Sequence, residues 1–228
     1  MKPLDFAKKV DAAMLNLKNA IGEASYTCLF FDTSMGQAQL TYRIRDKKTF
    51  RVEMVKIAEG TTNPMSNQTI VGNNGKLTLV SRSAGFKPMK PGVDPKFVPS
   101  SLTPAAAWPK HFQQAMFLPY VTGKGAHVPF VQSLLKGDGG FTVSMETRTM
   151  MGNGRTIPQV RLFAKRSPAA AKKLGQATIE IIAASNMWIP LQVRVNQTNL
   201  KGQKAMYEWS CHWRGPFRHD NKWFTLPK

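Results

Sequence analysis

Apolar and polar residues alternate with a period of two along most of this chain, and no other feature constrains its fold as strongly. Phe141, Val143 and Met145 alternate with Thr142, Ser144 and Glu146, and Val160, Leu162 and Ala164 with Gln159, Arg161 and Lys165. Ile179 and Ile181 oppose Thr178 and Glu180; Leu191, Val193 and Val195 oppose Gln192, Arg194 and Asn196. Ala205, Tyr207, Trp209, Cys211 and Trp213 oppose Lys204, Glu208, Ser210 and His212. The first third carries the same pattern in Tyr26, Cys28 and Phe30, in Ala38, Leu40, Tyr42 and Ile44, in Phe50, Val52 and Met54, and again from Lys76 to Ser81. Successive side chains of a strand point to opposite faces, so each run is a strand with one oily and one wet side. Asp46-Lys47-Lys48, Gly72-Asn73-Asn74-Gly75, Gly152-Asn153-Gly154 and Asn199-Leu200-Lys201-Gly202 supply the turns of an antiparallel meander. Roughly nine to eleven strands wetted on one side make a sheet that must curl.

Two stretches break the pattern. Residues 4–21 read as a helix: Pro3 suits its start and Gly22 its end, and Ala7, Val10, Met14, Leu17 and Ile21 form one apolar stripe. Residues 84–140 are punctuated by proline and glycine, yet Trp108, Phe112, Met116, Phe117, Leu118, Phe130, Leu134 and Leu135 require burial. This segment is expected to be a lid with short helices at 102–107, 109–118 and 128–136, packed on the concave side, before the C-terminal strands of 141–226. The expectation is a single domain over 1–228, mainly β with an α lid: an unclosed, strongly curved antiparallel barrel. A chain of 228 residues buries enough core to fold without metals or disulfides.

In order and spacing these segments resemble the bacterial outer-membrane lipoprotein carrier and sorting superfamily, the LolA-like fold related to LolB and RseB-type proteins. The amphipathic helix precedes the strand Ser25-Tyr26-Thr27-Cys28-Leu29-Phe30-Phe31. Lys48-Thr49-Phe50-Arg51-Val52-Glu53 looks like a family strand, and Thr69 to Leu79 like a family hairpin. Pro129 to Leu135 resembles its lid helix, Trp188-Ile189-Pro190-Leu191-Gln192-Val193 a later strand, and Phe224-Thr225-Leu226-Pro227 its closing segment. The resemblance implies a non-enzymatic carrier or sensor that binds lipid acyl chains or lipoproteins in a hydrophobic cavity. It also implies a periplasmic or cell-envelope location, with a leader removed ahead of Met1. Arg45 is the nearest match to the carrier's lid-latching arginine, although Asp46 stands where the family has proline.

If the oily faces point inward, the expected cavity wall is Tyr42, Phe50, Val52, Met54, Leu79, Val143, Met145, Leu162, Ile179, Ile181, Val193, Tyr207 and Trp209, with Met116, Phe117, Phe130 and Leu134 from the lid. Twelve methionines suit an adaptable wall. The opposing reading is a plain core filled by helix and lid.

Thirty-two Lys and Arg against thirteen Asp and Glu leave a net charge of +19, a field that attracts anions. The cations fall mostly on polar faces and turns: Arg43, Arg45, Lys47, Lys48, Arg51, Arg161, Lys165, Arg166, Lys172, Lys173, Arg194, Lys201 and Lys204. Arg43, Arg45 and Arg51 are the candidate contacts to an anionic membrane surface. A basic module for nucleic acid or another anionic polymer is the competing class. It is disfavoured because the aromatics lie with Val, Ile and Met opposite the charges.

His111, His127, His212 and His219 form no metal pair, and Gly72 to Lys76 lacks the spacing of a phosphate loop, so neither catalysis nor a cofactor is expected. Cys28 and Cys211 leave open either one disulfide or two buried thiols. No apolar run reaches the roughly 18 residues of a membrane helix. A monomer is expected.

Overall fold

The computed structural model describes residues 1–30, 34–46, 48–56, 68–74, 76–81, 85–89, 140–152 and 155–225. Among these residues, eleven strands form one antiparallel sheet: β1 (Ala20–Phe30), β2 (Ser34–Asp46), β3 (Thr49–Lys56), β4 (Gln68–Asn73), β5 (Lys76–Ser81), β6 (Gly85–Met89), β7 (Phe141–Gly152), β8 (Arg155–Arg166), β9 (Gln176–Ala184), β10 (Pro190–Thr198) and β11 (Lys204–Arg214). Their order is β6-β5-β4-β3-β2-β1-β11-β10-β9-β8-β7, so two meanders meet where β1 pairs with β11. Among the described residues no ladder joins β6 to β7, and the sheet stays open there. This unclosed, mainly β architecture with an N-terminal helix is the fold class expected from the sequence.

Helix α1 (Pro3–Leu15) starts at a proline whose missing N–H costs nothing in the first turn. It ends at Leu15, six residues before the expected 21. Asn16 donates to the Ala12 carbonyl, Asn19 adopts a left-handed φ of 49°, and Ala20 enters β1. Asparagine tolerates that conformation better than most residues. Ile21 and Gly22, read as the helix end, instead pair on both sides: Ile21 with Arg43 and Arg214, and Gly22 with Tyr42 and Trp213. A central strand satisfies its backbone through two ladders, which outweighs another turn of helix.

Phe6, Ala7 and Val10 are buried in one cluster with residues of β1, β2, β3 and β8 to β11. The helix touches β7 at one margin while its C-terminal link enters β1 near the middle, so it crosses that half of the sheet. A helix about 10 Å across shares a buried core with seven strands only because the sheet bends around it. Trp188, in the β9–β10 turn, holds the helix from the side. Its ring meets Phe6 edge-on at 6.3 Å and Lys9 Nζ at 4.4 Å, although its own φ of 59° is strained for a bulky residue.

Gly85–Met89, placed within the expected lid at 84–140, instead pairs with β5 as strand β6. Pro88 fits there, since among the described residues one side of the strand has no ladder to donate to. Residues 90–139, including Met116, Phe117, Phe130, Leu134 and the short helices expected around them, lie outside the described residues.

Helix α2 (Pro168–Leu174) was not foreseen, although its signals are local: Ser167 caps it by accepting from the Ala170 N–H, Pro168 opens it, and Gly175 follows its end. Beyond β11 the chain recrosses the sheet end, where Phe217 N donates to Asn19 O at 2.7 Å. It then forms a 3₁₀ turn (Asn221–Phe224) against β3 and β4. Among the described residues no helix is long and apolar enough to cross a membrane.

Candidate functional site

The inner face gathers most of the expected wall. Tyr42, Phe50, Val52, Leu162, Ile179, Ile181, Val193 and Trp209 belong to one buried cluster beneath α1. Val143 and Met145, with Phe141, continue it onto β7, where they are only half-buried. Met54, Leu79 and Tyr207 take the expected register, opposite Leu40, Ile70 and Val195, but their side chains lie outside the described residues.

At the centre, β1 contributes small residues, so rings from the strands beside it meet across it. Tyr42 on β2 and Trp213 on β11 both pair with Gly22, and their ring centres are 5.4 Å apart. A Cβ on Gly22 would lie 2.6 Å from the Trp213 ring. Trp209 donates its indole N–H to the Tyr42 hydroxyl at 3.1 Å, and Trp213 donates to Pro190 O at 3.0 Å. Burial pushes the Tyr42 phenol far above its usual range, with Cys211 adding to the shift. Cys211 is a free thiol in this wall, and burial raises its pKa well above the ordinary value, which keeps it a neutral apolar filler.

The sequence reading missed Phe6, Trp188 and Arg166. Phe6 was legible from its helical spacing to Val10, Ala13 and Leu17. Arg166 stands in phase with Val160, Leu162 and Ala164, yet counted among the cations of the polar faces. It is buried, and its Nη1 donates to the carbonyls of Leu174 and Gly175.

The outer face is organised by charge. Arg161 bonds Glu146 at 2.9 Å and also Glu180; Arg194 lies 3.8 Å from Glu180 and 2.8 Å from Glu208. The Arg194 hydrogen bond holds the Glu208 carboxyl below its ordinary pKa, against a smaller opposing effect of burial.

The C-terminal segment covers the three candidate surface arginines in different ways. The Trp223 ring lies 3.9 Å from the Arg43 guanidinium carbon. Arg45 donates to Asn221 Oδ1 at 2.6 Å and faces the Phe224 ring at 4.7 Å. Arg51 pairs with Glu53 at 2.7 Å and donates to Trp223 O at 3.5 Å. An open groove of about 890 Å³ follows this segment, lined by Asn19, Arg45, Pro216, Phe217, Arg218, His219, Asp220 and Asn221. Burial lowers the His219 pKa, and Arg43 and Arg45 lower it further, while the backbone of Ile44 and Ala20 opposes the shift.

One end of the sheet is different again. Gly175 packs against the backbone of Thr198 and Asn199, which brings the end of α2 to the β10–β11 turn. Leu174 and Leu200 flank that contact, 47% and 67% exposed. Lys172, Lys173 and Lys201 surround them, and none pairs with a carboxylate among the described residues. No cluster of His, Cys, Asp or Glu able to hold a metal occurs among the described residues.

No protein-family model and no curated protein matches the chain. Solved structures do resemble it. The Pseudomonas aeruginosa MucA/MucB complex matches 97% of this chain and 60% of its own at 12% identity and TM-score 0.45. LprF from Mycobacterium bovis matches 95% and 97% at 10% identity and TM-score 0.43. A LolA superfamily protein from Nitrosomonas europaea matches 99% and 98% at 9% identity and TM-score 0.37. The chain thus spans about three-fifths of the MucB-containing structure's chain. Likenesses of this size bring no ligand and no site residue to this chain.

Proposed function

We propose that this chain is a non-enzymatic carrier or sensor of the cell envelope, acting in the periplasm, that buries acyl chains of lipids or lipoproteins against the inner face of its sheet. The observation that carries this reading is the continuity of that face. An apolar surface runs from Val52 on β3 to Leu162 on β8 beneath α1 and on to half-buried Phe141, Val143 and Met145 at the open margin, where buried Arg166 pairs with Phe141. Each buried methylene contributes about 0.8 kcal/mol. About ten of them give ~8 kcal/mol, the scale of micromolar binding. Met54, Leu79 and Tyr207 extend the proposed wall, and Met116, Phe117, Phe130 and Leu134 are proposed to close it.

The end carrying Leu174, Leu200 and their lysines is the proposed contact with an anionic bilayer. Three near-surface cations contribute about 3 kcal/mol together, which suits transient docking. Arg43, Arg45 and Arg51 are less available for that role, since the C-terminal segment already engages them.

Denaturing extraction of the purified protein, followed by lipid mass spectrometry, tests the acyl reading. Co-purified acyl lipids, or saturable micromolar binding of a fluorescent fatty acid, are the expected result. A protein that yields no lipid and ignores fatty acids lacks the function.

A further inference from the structure

Arg166 ends the inner row of β8. Its side chain is 2% exposed, in phase with buried Val160, Leu162 and Ala164. Nη1 is satisfied by the carbonyls of Leu174 at 3.0 Å and Gly175 at 2.8 Å. Nε and Nη2 have no partner, and no carboxylate faces the group among the described residues. The Phe141 ring lies 5.4 Å from the guanidinium carbon on the β7 side. On the other side, the pairing of Lys165 with Thr178 brings Ala177 alongside, and Ala177 pairs with Gln197. Gln197 is buried too, and its Oε1 is unpartnered. The row therefore reads aromatic, cation, methyl, amide, with a donor edge and an acceptor both unsatisfied and only a methyl between them.

A buried guanidinium held by two neutral carbonyls is costly, and a buried polar group without a partner calls for an explanation. Capping α2 accounts for Nη1 alone. The idle Nε–Nη2 edge is the planar fork that matches a carboxylate or phosphate through two parallel hydrogen bonds.

We propose that Arg166 is the headgroup anchor of the acyl site. Its Nε–Nη2 edge binds the carboxylate or phosphate of an amphiphile whose chain lies along half-buried Phe141, Val143 and Met145 of β7, and Gln197 Oε1 accepts from a headgroup hydroxyl. This assignment builds on the acyl-binding reading and adds the ligand's class: an anionic lipid rather than a neutral one.

The test compares oleate with oleyl alcohol, which share a chain and differ in charge, by displacement of Nile red from the full chain. The expected result is at least ~tenfold tighter binding of oleate, as one charge-assisted fork provides. Arg166→Gln should abolish that preference while retaining oleyl alcohol binding, which loss of a purely structural contact would not do selectively. Arg166→Lys, which keeps the charge without the fork, should keep only part of the preference and serves if Arg166→Gln does not fold. Equal affinity of the parent protein for both amphiphiles, or a full preference in either variant, overturns the assignment and leaves the acyl reading intact. If neither amphiphile binds, the acyl reading fails. Inorganic phosphate then decides the anion site alone: a rise in melting temperature that Arg166→Gln removes supports it, and no rise overturns it.

Discussion

Gly22→Ala measures how tightly the centre of the inner face is packed. Gly22 has ordinary extended backbone, so the substitution acts through space. The new Cβ would sit 2.6 Å and 2.8 Å from Trp213 Cζ3 and Cε3 and 3.0 Å from Cys211 Sγ. Carbon atoms pack best at ~3.5–4.0 Å, so the ring must retreat by about 1 Å. It is poorly free to do so, because Tyr42 lies against it and its indole N–H holds Pro190 O. Overpacking of this kind costs about 1–3 kcal/mol. The smaller chain entropy of alanine returns about 0.5–1 kcal/mol. At the centre of both ranges the net loss is about 1.25 kcal/mol, a fall in melting temperature of roughly 3–5 °C for a chain of this size. Thermal and urea melts of Gly22→Ala, Trp213→Leu and the double variant provide the assay. The double variant should be more stable than the two single losses added together, because the smaller side chain makes room for the methyl. A Gly22→Ala protein as stable as its parent, or strict additivity in the double variant, refutes the packing argument.

Two further outcomes follow from the outer face and the sheet end. The depressed His219 pKa means that the folded chain binds that proton less readily than the unfolded chain. Stability from this group is complete above the ordinary histidine value of about 6.5 and declines as pH falls below it. Urea titrations at pH 7.5 and 5.5 should show a larger loss in the parent than in His219→Asn, and equal losses would rule His219 out as the cause. Leu200→Asp with Lys201→Gln should strongly reduce sedimentation with anionic vesicles while leaving fatty-acid binding unchanged; undiminished sedimentation would place the bilayer contact elsewhere.

The strands were legible because each carries its own record of two environments. Val143 between Thr142 and Ser144, or Val195 between Arg194 and Asn196, declares a face without knowledge of any partner. Helix ends were harder. Ile21 and Gly22 satisfy both a helical stripe and a strand, and only the pairing of β1 with β2 and β11 decides between them. The site was legible as a surface and obscure as a chemistry. Arg166 shares its phase with Leu162 and Ala164, but a rule that sends every cation to the wet side overrides that phase. The exception depends on the end of α2, which supplies two carbonyls from residues eight and nine positions later.

The net charge of +19 was also legible, but not its geography. Acids are scarce, and register sends several of them to strand arginines: Glu146 to Arg161, Glu180 to Arg161 and Arg194, and Glu208 to Arg194. These pairs form because antiparallel neighbours bring opposite charges face to face at a spacing that no single strand reveals. Among the described residues, α2 and the β10–β11 turn carry Lys172, Lys173 and Lys201 with no carboxylate partner. A uniform basic coat would favour any polyanion. Ion pairs along β7 to β11, and lysines beside exposed Leu174 and Leu200 at α2 and the β10–β11 turn, support the proposed docking on an anionic bilayer over a general polyanion.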